Sequence, residues 1–437
     1  NPTPNVAQPA SQTICNGATT NPVNFTGAVT GTQFSWTNNN SSIGLPAVGT
    51  GNIPAFVATN ATNTAVTATI TVTPSAVGCA GTPATFTITV NPTPDVNRPP
   101  DQSLCNASTT NAVNFSGSVA GTIFNWTNNN TTIGLAASGM GNIAPFTAIN
   151  YLNTVNLATI AVTPDASGCA GTPEYFYINV KPTPDVVQPP NQELCSGAPT
   201  NAIIFSGAVT GTTYSWTNTG TIIGLPASGS GNIPSFTASS NGAYTAVAGI
   251  TVTPSAAGCN GPSKIFSITV NPVPSIAQPT NQSLCNGATT NAVAFTGTLG
   301  NVSTYTWTNS DPSIGLPASG TGNIPAFTAV NTGNTAITAT ITVTPSTSLC
   351  PGSARSFTIT VHPTPAVVVS NDMNVCLGST AQLSASGASQ YTWTPSTGLS
   401  CTTCANPVAT PTGSVKYIVR GQSAFGCFAF DSVSLTV

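Results

Sequence analysis

The chain has 437 residues, 40% of them hydrophobic, with six Lys or Arg, nine Asp or Glu, one His and a net charge of −3. So few bases form no positive stripe to hold phosphates, which excludes nucleic acid as a partner. Residues 1–94 contain no Asp, Glu, Lys, Arg, His or Tyr, so apart from two cysteines that stretch has no side chain for general acid–base chemistry. The sequence therefore reads as non-enzymatic, with no catalytic residues, cofactor or metal site. No run approaches the ~20 apolar residues of a spanning helix, so no membrane span is expected. Five Trp, eight Tyr and 17 Phe supply cores, so the chain is expected to fold. With no initiator Met or signal peptide before Asn1, and Val437 inside a strand-like pattern, it reads as a segment of a longer protein.

In chain order, the first unit predicts strands near 6–8, 23–26, 33–38, 55–59, 65–72 and 85–90, from period-two alternation rich in Thr, Val, Ile and Phe. Gly and Pro punctuate every 8 to 12 residues, and nothing reads as a helix. Six or seven short strands in about 90 residues predict an immunoglobulin-like β-sandwich. Trp36 sits where an inward-facing strand buries its largest side chain, with a sugar-stacking platform as the functional alternative. The following Ile43-Gly44-Leu45-Pro46-Ala47 and Gly51-Asn52-Ile53-Pro54-Ala55-Phe56 predict glycine turns at positive φ and apolar plugs for the core. Gly49-Thr50-Gly51 has no Lys and no following helix, so it is no phosphate loop. The polar run Asn38-Asn39-Asn40 reads as a loop tip, since calcium needs carboxylates that this unit lacks.

The pattern then repeats with a period of about 90 residues, punctuated by Asn-Pro-Thr-Pro at 1–4 and 91–94, Lys-Pro-Thr-Pro at 181–184, Asn-Pro-Val-Pro at 271–274 and His-Pro-Thr-Pro at 362–365. Five domains are expected, at 1–90, 91–180, 181–270, 271–361 and 362–437, the last divergent. Their Pro-containing joints predict an end-to-end rod on the order of 180 Å long, from ~8-residue strands at ~3.3 Å each plus loops.

Twelve cysteines at periodic spacing, with no His partner in the first four units, argue for disulfides and an oxidising compartment. The spacing within each unit predicts Cys15–Cys79, Cys105–Cys169, Cys195–Cys259, Cys285–Cys350 and Cys376–Cys427. A Cys15–Cys79 bridge is worth about 4 kcal/mol by chain entropy. The extra Cys401–Cys404 pair, among Pro, Gly and Thr with no following helix, reads as a small structural loop and not a redox dithiol.

The units share Tyr/Phe-x-Trp-Thr-Asn, Ile-Gly-Leu-Pro-Ala-Ser-Gly-x-Gly-Asn-Ile-Pro-x-Phe, Val-Thr-Pro and Gly-Cys-x-Gly. These motifs resemble the PKD-like repeats of very large secreted surface proteins of Bacteroidota. The fifth unit, with Tyr391-Thr392-Trp393-Thr394-Pro395-Ser396-Thr397-Gly398-Leu399-Ser400-Cys401-Thr402-Thr403-Cys404, is similar to the related Ig-like module of the same proteins. The resemblance implies export by the type IX secretion system, an extracellular, cell-surface location and a role as a gliding adhesin or surface fibre. In that role these repeats act as a non-catalytic stalk, and surface glycans or other cells are bound through other regions. It also implies O-glycosylation at Ser432 in Asp431-Ser432-Val433. The near absence of charge predicts sideways association of copies into a homomeric fibre. The alternatives are an array of carbohydrate-binding modules or an accessory region of a secreted polysaccharide-degrading enzyme.

Overall fold

A computed structural model describes residues 2–242, 244–299 and 304–437. The fold is all-β, a tandem array of immunoglobulin-like sandwiches. The first repeat contains β1 (Gln12–Cys15), β2 (Gln33–Asn38), β3 (Val48–Thr50), β4 (Val66–Ala76), β5 (Cys79–Ala80) and β6 (Ala84–Asn91). Its sheet runs β1-β6-β4-β2-β3, with β5 folded back on β4. The contacts of β2 with β3, of β4 with β2, β5 and β6 are antiparallel, whereas β1 runs parallel to β6, with Gln12 opposite Ile88 and Cys15 opposite Asn91. Opposite this sheet, two extended segments are tied by the bridges Thr19–Val57 and Val23–Ile53.

The alternation in β4 explains the layering. Ala68, Ile70, Val72 and Ala76 point inward and are buried, while the intervening Thr residues face outward. Ala68, Ile70 and Val72 meet Phe86, Ile88 and Val90 of β6, together with Ile43, Leu45 and Ile53 from the loops. Phe25 packs its ring against Phe34 and Phe86 at centroid distances of 5.7 and 6.4 Å. Each large aliphatic or aromatic side chain buried in this way contributes about 1.5–3 kcal/mol.

Several local expectations differ from the structure. Residues 6–8 form no strand, 23–26 and 55–59 make only the single bridges at Val23 and Val57, whereas Gln12–Cys15 is a strand and Val48–Thr50 adds an edge strand to the sheet. A turn of 3-10 helix, Ser41–Ile43, interrupts the otherwise helix-free unit. It is capped by the Asn40 side chain, which accepts from the Ser42 amide, and closed by Gly44 at φ 93°. Asn39 and Asn38 are equally occupied, the first accepting from the Thr69 amide and the buried second donating to the Leu45 carbonyl.

By contact density the chain forms two compact units. One comprises Asn1–Val187, Phe205–Ser215 and Val252–Lys264; the other comprises Gln188–Ile204, Trp216–Thr251 and Ile265–Val437. Within the first, the second repeat reproduces the sheet of the first, in the order Gln102–Cys105, Glu174–Lys181, Asn156–Ala166, Ile123–Asn128, Ser138–Met140. Within the second, Gln282–Cys285, Arg355–His362, Ile337–Ser346, Thr304–Asn309 and Ser319–Thr321 follow the same order. The C-terminal module is a variant, with a four-stranded sheet of Met373–Asn374, Phe428–Thr436, Val415–Gln422 and Gln390–Thr394 and two short ladders beside it.

The tryptophans are core residues. Trp36 is 6% exposed, and its indole lies over Gly49, its antiparallel partner on β3. A Cβ at Gly49 would fall onto the indole ring, and the same holds for Gly139 over Trp126 and Gly320 over Trp307. Gly49 is thus required for space, while Gly44 and Gly51 are required for their positive φ. Gly49→Ala is expected to lower stability by about 1–3 kcal/mol through overpacking. Gly413→Ala, where an added Cβ meets nothing within 4 Å, is expected to be close to neutral. Urea unfolding of the two oxidised variants checks the contrast.

Candidate functional site at the repeat junctions

At each repeat boundary the last strand runs into the proline linker, and two kinds of clamp hold these linkers, a side-chain clamp at the first, second and fourth and a glycine contact at the first three. The first lies at the exit end of the preceding repeat. The Asn16 amide donates to the Asn91 carbonyl at 2.9 Å, and its side chain donates to Thr93 Oγ1 at 3.1 Å. Asn106 holds Thr183 at 2.9 Å and Asn286 holds Thr364 at 3.2 Å in the same way. The second clamp lies at the entry end of the next repeat. There the Pro94 carbonyl packs so closely on Gly171 that no side chain could stand at that position. Pro184 on Gly261 and Pro274 on Gly352 repeat the contact. The glycine two residues after the cysteine therefore seats the linker against the loop that carries the cysteine.

Beside each of the four linkers the structure places a disulfide, and the pairing differs from the expected one. Cys15 bonds to Cys169, Cys105 to Cys259, Cys195 to Cys350 and Cys285 to Cys427, with Cα separations of 5.5–5.7 Å. In place of Cys15–Cys79, Cys105–Cys169, Cys195–Cys259, Cys285–Cys350 and Cys376–Cys427, every long-range bridge joins one repeat to the next. The reason lies in the parallel pairing of β1 with β6. It carries Cys15 to the exit end of β6, beside Asn91, whereas Cys79 lies in the β4–β5 hairpin at the other end of the sheet. Eight residues of β6 at ~3.3 Å each separate the two by about 25 Å, far beyond the ~7 Å limit for Cα atoms of a cystine. Among the described residues Cys79 and Cys376 are unpaired and exposed.

Three of the four staples are reinforced by a contact from the last strand. The Asn91 side chain reaches the Ser167 carbonyl at 3.5 Å, and Lys181 Nζ donates to the Ala257 carbonyl at 2.9 Å. At the last junction the His362 ring stacks on Phe425 with centroids 4.0 Å apart.

The remaining site residues lie in the C-terminal module. Cys401 and Cys404 are bonded to each other, and the Cys404 carbonyl accepts from Trp393 Nε1 at 3.0 Å, so this loop closes over the buried tryptophan. Ser432 is half-buried on Phe428–Thr436, opposite Ile418, with its amide donating to Asp431 Oδ1. The four repeat tryptophans, at 6–7% exposure, offer no stacking face. Exposed aromatic surface gathers instead at Phe428 and Phe430, with the Arg420 guanidinium 4.3 Å from the Phe428 ring centre. Among the described residues no three of His, Cys, Asp and Glu gather as metal ligands, and no helix is long and apolar enough to cross a membrane.

Asp95 sits just beyond the first linker. Its Oδ1 accepts from the Ser118 amide at 2.6 Å and the Ser118 hydroxyl at 2.7 Å. Across the junction, Asn63 Nδ2 donates to the Ser118 carbonyl at 3.3 Å. Asn5 and Asp185 play the same loop-holding part, accepting from the amides of Ala28 and Ala208. The two bonds from Ser118 hold the Asp95 carboxyl below its ordinary value of 3.8.

This combination defines a class of protein, the tandem β-sandwich array stapled by disulfides at its joints. Within it, residues 12–94 match the PKD-like domain family. That match opens at β1 and closes at the linker proline, so it spans the strand pairing on which the staple depends. A search of the curated proteins finds no match. Similar solved structures include the human desmocollin-1 ectodomain, 10% identical over 92% of each chain with a TM-score of 0.27. The protocadherin gammaB4 extracellular domain is 13% identical over 99% of this chain and 84% of its own, with a TM-score of 0.31. Sidekick-1 immunoglobulin domains 1–5 are 13% identical over 99% and 98%, with a TM-score of 0.26. At these scores the likenesses carry no argument about this chain.

Two outcomes are expected. Non-reducing peptide mapping recovers Cys15–Cys169, Cys105–Cys259, Cys195–Cys350, Cys285–Cys427 and Cys401–Cys404, and alkylation labels Cys79 and Cys376. In an NMR titration the Asp95 carboxyl titrates below 3.8. Because its folded pKa lies below the unfolded one, its contribution is complete above the ordinary carboxylate range and vanishes as pH falls through the folded value. Asp95→Asn removes that pH dependence.

Proposed function

We propose that this chain is a non-catalytic extracellular stalk of a cell-surface adhesin, in which the five sequence units are folding modules and the cystine staples resist bending and extension at the joints. The single observation that supports this reading is the disulfide that joins one module to the next at four successive junctions. A peptide linker alone is a hinge, whereas a second covalent connection some residues away restricts rotation about it. Such bridges persist in an oxidising environment, in accord with an extracellular site. In this reading the modules hold and space an adhesive element that contacts glycans or other cells, and neighbouring stalks associate sideways in a fibre.

Stretching tests the mechanical part. The shortest covalent path from end to end runs through Cys15–Cys169, Cys105–Cys259 and Cys285–Cys427 and contains roughly 120 residues, or about 420 Å at ~3.5 Å per residue. Single-molecule pulling of the oxidised chain is expected to reach that length, against about 1,500 Å after reduction. An oxidised chain that extends like the reduced one removes the stalk reading. Binding of simple sugars by the isolated oxidised chain, lost on Phe428→Ala and Phe430→Ala, would instead favour a carbohydrate-binding array.

A further inference from the structure

The outer face of the repeat sheet changes its chemistry in the second repeat. In the first repeat the outward positions Gln33, Thr50, Thr67, Thr85 and Thr87 are all polar. Their equivalents in the fourth, Thr304, Thr321, Thr338, Ser356 and Thr358, are polar too. In the second repeat the same five positions hold Ile123, Met140, Leu157, Tyr175 and Tyr177, at 39–73% exposure. Strand pairing gathers them on one surface, with Tyr175 opposite Ala161, Tyr177 opposite Thr159 and Met140 opposite Asn125. The core of this repeat is filled by other residues of the same strands, such as Ile160, Phe176 and Ile178. Contiguous apolar side chains at positions where Thr serves the other repeats mark a contact surface.

Two charges accompany them. Asp165 stands at one end of this face and Lys181 at the other, where the first repeat has Ser75 and Asn91 and the fourth Ser346 and His362. Along the strands the two are about ten residues apart, or ~33 Å. The Asp165 carboxylate has no hydrogen bond or ion pair among the described residues. The Lys181 ammonium donates to the Ala257 carbonyl and has further donors to give.

A face that is apolar in the middle and oppositely charged at its ends is complementary to itself turned end for end. A two-fold axis between two such sheets, perpendicular to the strands and near Thr159 and Tyr177, brings Asp165 of each copy toward Lys181 of the other. Sheets packed ~10 Å apart in this way interleave the tyrosine and leucine side chains. Ile123, Met140 and Leu157 offer nothing to the hydroxyls of a sugar, whereas aliphatic, thioether and tyrosine side chains together suit the dry centre of a protein contact.

We propose that the outer face of the second repeat binds the same face of a second copy of this chain, with the two copies antiparallel across an isologous contact. Five strands ~4.8 Å apart and about six residues of ~3.3 Å each give roughly 500 Å² per copy, against ~800 Å² in a standard interface. A single pair is therefore weak and reversible. One consequence rests on the stalk reading: antiparallel stalks are those that project from facing surfaces, and the contact then ties one surface to the other.

Sedimentation equilibrium of the oxidised chain, with its free thiols alkylated, tests the contact. Expected is an equilibrium between the 43.6 kDa monomer and a dimer of twice that mass, with a Kd between about 1 μM and 1 mM. Tyr175→Thr combined with Tyr177→Thr, which copies the first repeat, weakens the dimer by ~10-fold or more. Asp165→Lys alone and Lys181→Asp alone each shift the equilibrium toward monomer. An equimolar mixture of these two restores the dimer, because each contact then joins opposite charges. Peptide mapping of the four staples establishes that every variant is folded. A chain that stays monomeric at about 1 mM overturns the proposal, as does a dimer that survives the tyrosine changes. A charge-variant mixture no more dimeric than its components overturns it equally, and so does a monomer that binds a polysaccharide through Tyr175 and Tyr177. None of these outcomes alters the extension of a single oxidised chain, on which the stalk reading is tested separately.

Discussion

The parallel pairing of a four-residue strand with the last strand of the same module is the constraint on which the rest of the structure depends. Antiparallel neighbours return the chain to the end it came from, and a module built from them alone would bring its first and second cysteines within reach of each other. Parallel addition of Gln12–Cys15 along Ile88–Asn91 sends the first cysteine to the far end instead. The same placement lets Asn16 hold the outgoing linker, so one short edge strand sets both the covalent and the hydrogen-bonded parts of the junction.

How much of this was legible in the sequence follows from where the signals are written. The alternation of 66–72 and 84–90, the inward Trp36 and the 90-residue period are local patterns, and the all-β fold follows from them. Gln12-Thr13-Ile14-Cys15 is too short and too polar to show an alternation of its own. Only its backbone pairing makes it a strand, and no composition rule reports the direction in which a strand is added. The cysteine partners were lost with it, because in a periodic chain pairing within a unit and pairing to the next unit both recur at regular separations, and the period does not choose between them. An even count points the wrong way, since pairing within units leaves no cysteine over whereas the observed pairing leaves Cys79 and Cys376.

The scarcity of charge also has a structural counterpart. Polar work that charged pairs do elsewhere falls here to Asn and Thr. Buried Asn60 donates to the carbonyls of Thr64 and Val90, both at 2.8 Å, and Asn331 repeats the pattern with Thr335 and Val361. On the outer face, Thr67 and Thr89 meet across the strands with their hydroxyls 3.0 Å apart, and Thr338 meets Thr360 at 3.1 Å. Hydrogen bonds between neutral groups are little affected by ionic strength, so this network holds alike in low and high salt.

The order of the cysteines along the chain has one more effect. The segments closed by successive staples overlap, since Cys105 precedes Cys169, Cys195 precedes Cys259 and Cys285 precedes Cys350. Every peptide bond between Cys15 and Cys427 is therefore enclosed by at least one cystine. A protease that cuts once anywhere in that interval leaves two fragments still covalently tied, as links of mail remain joined when one ring is opened.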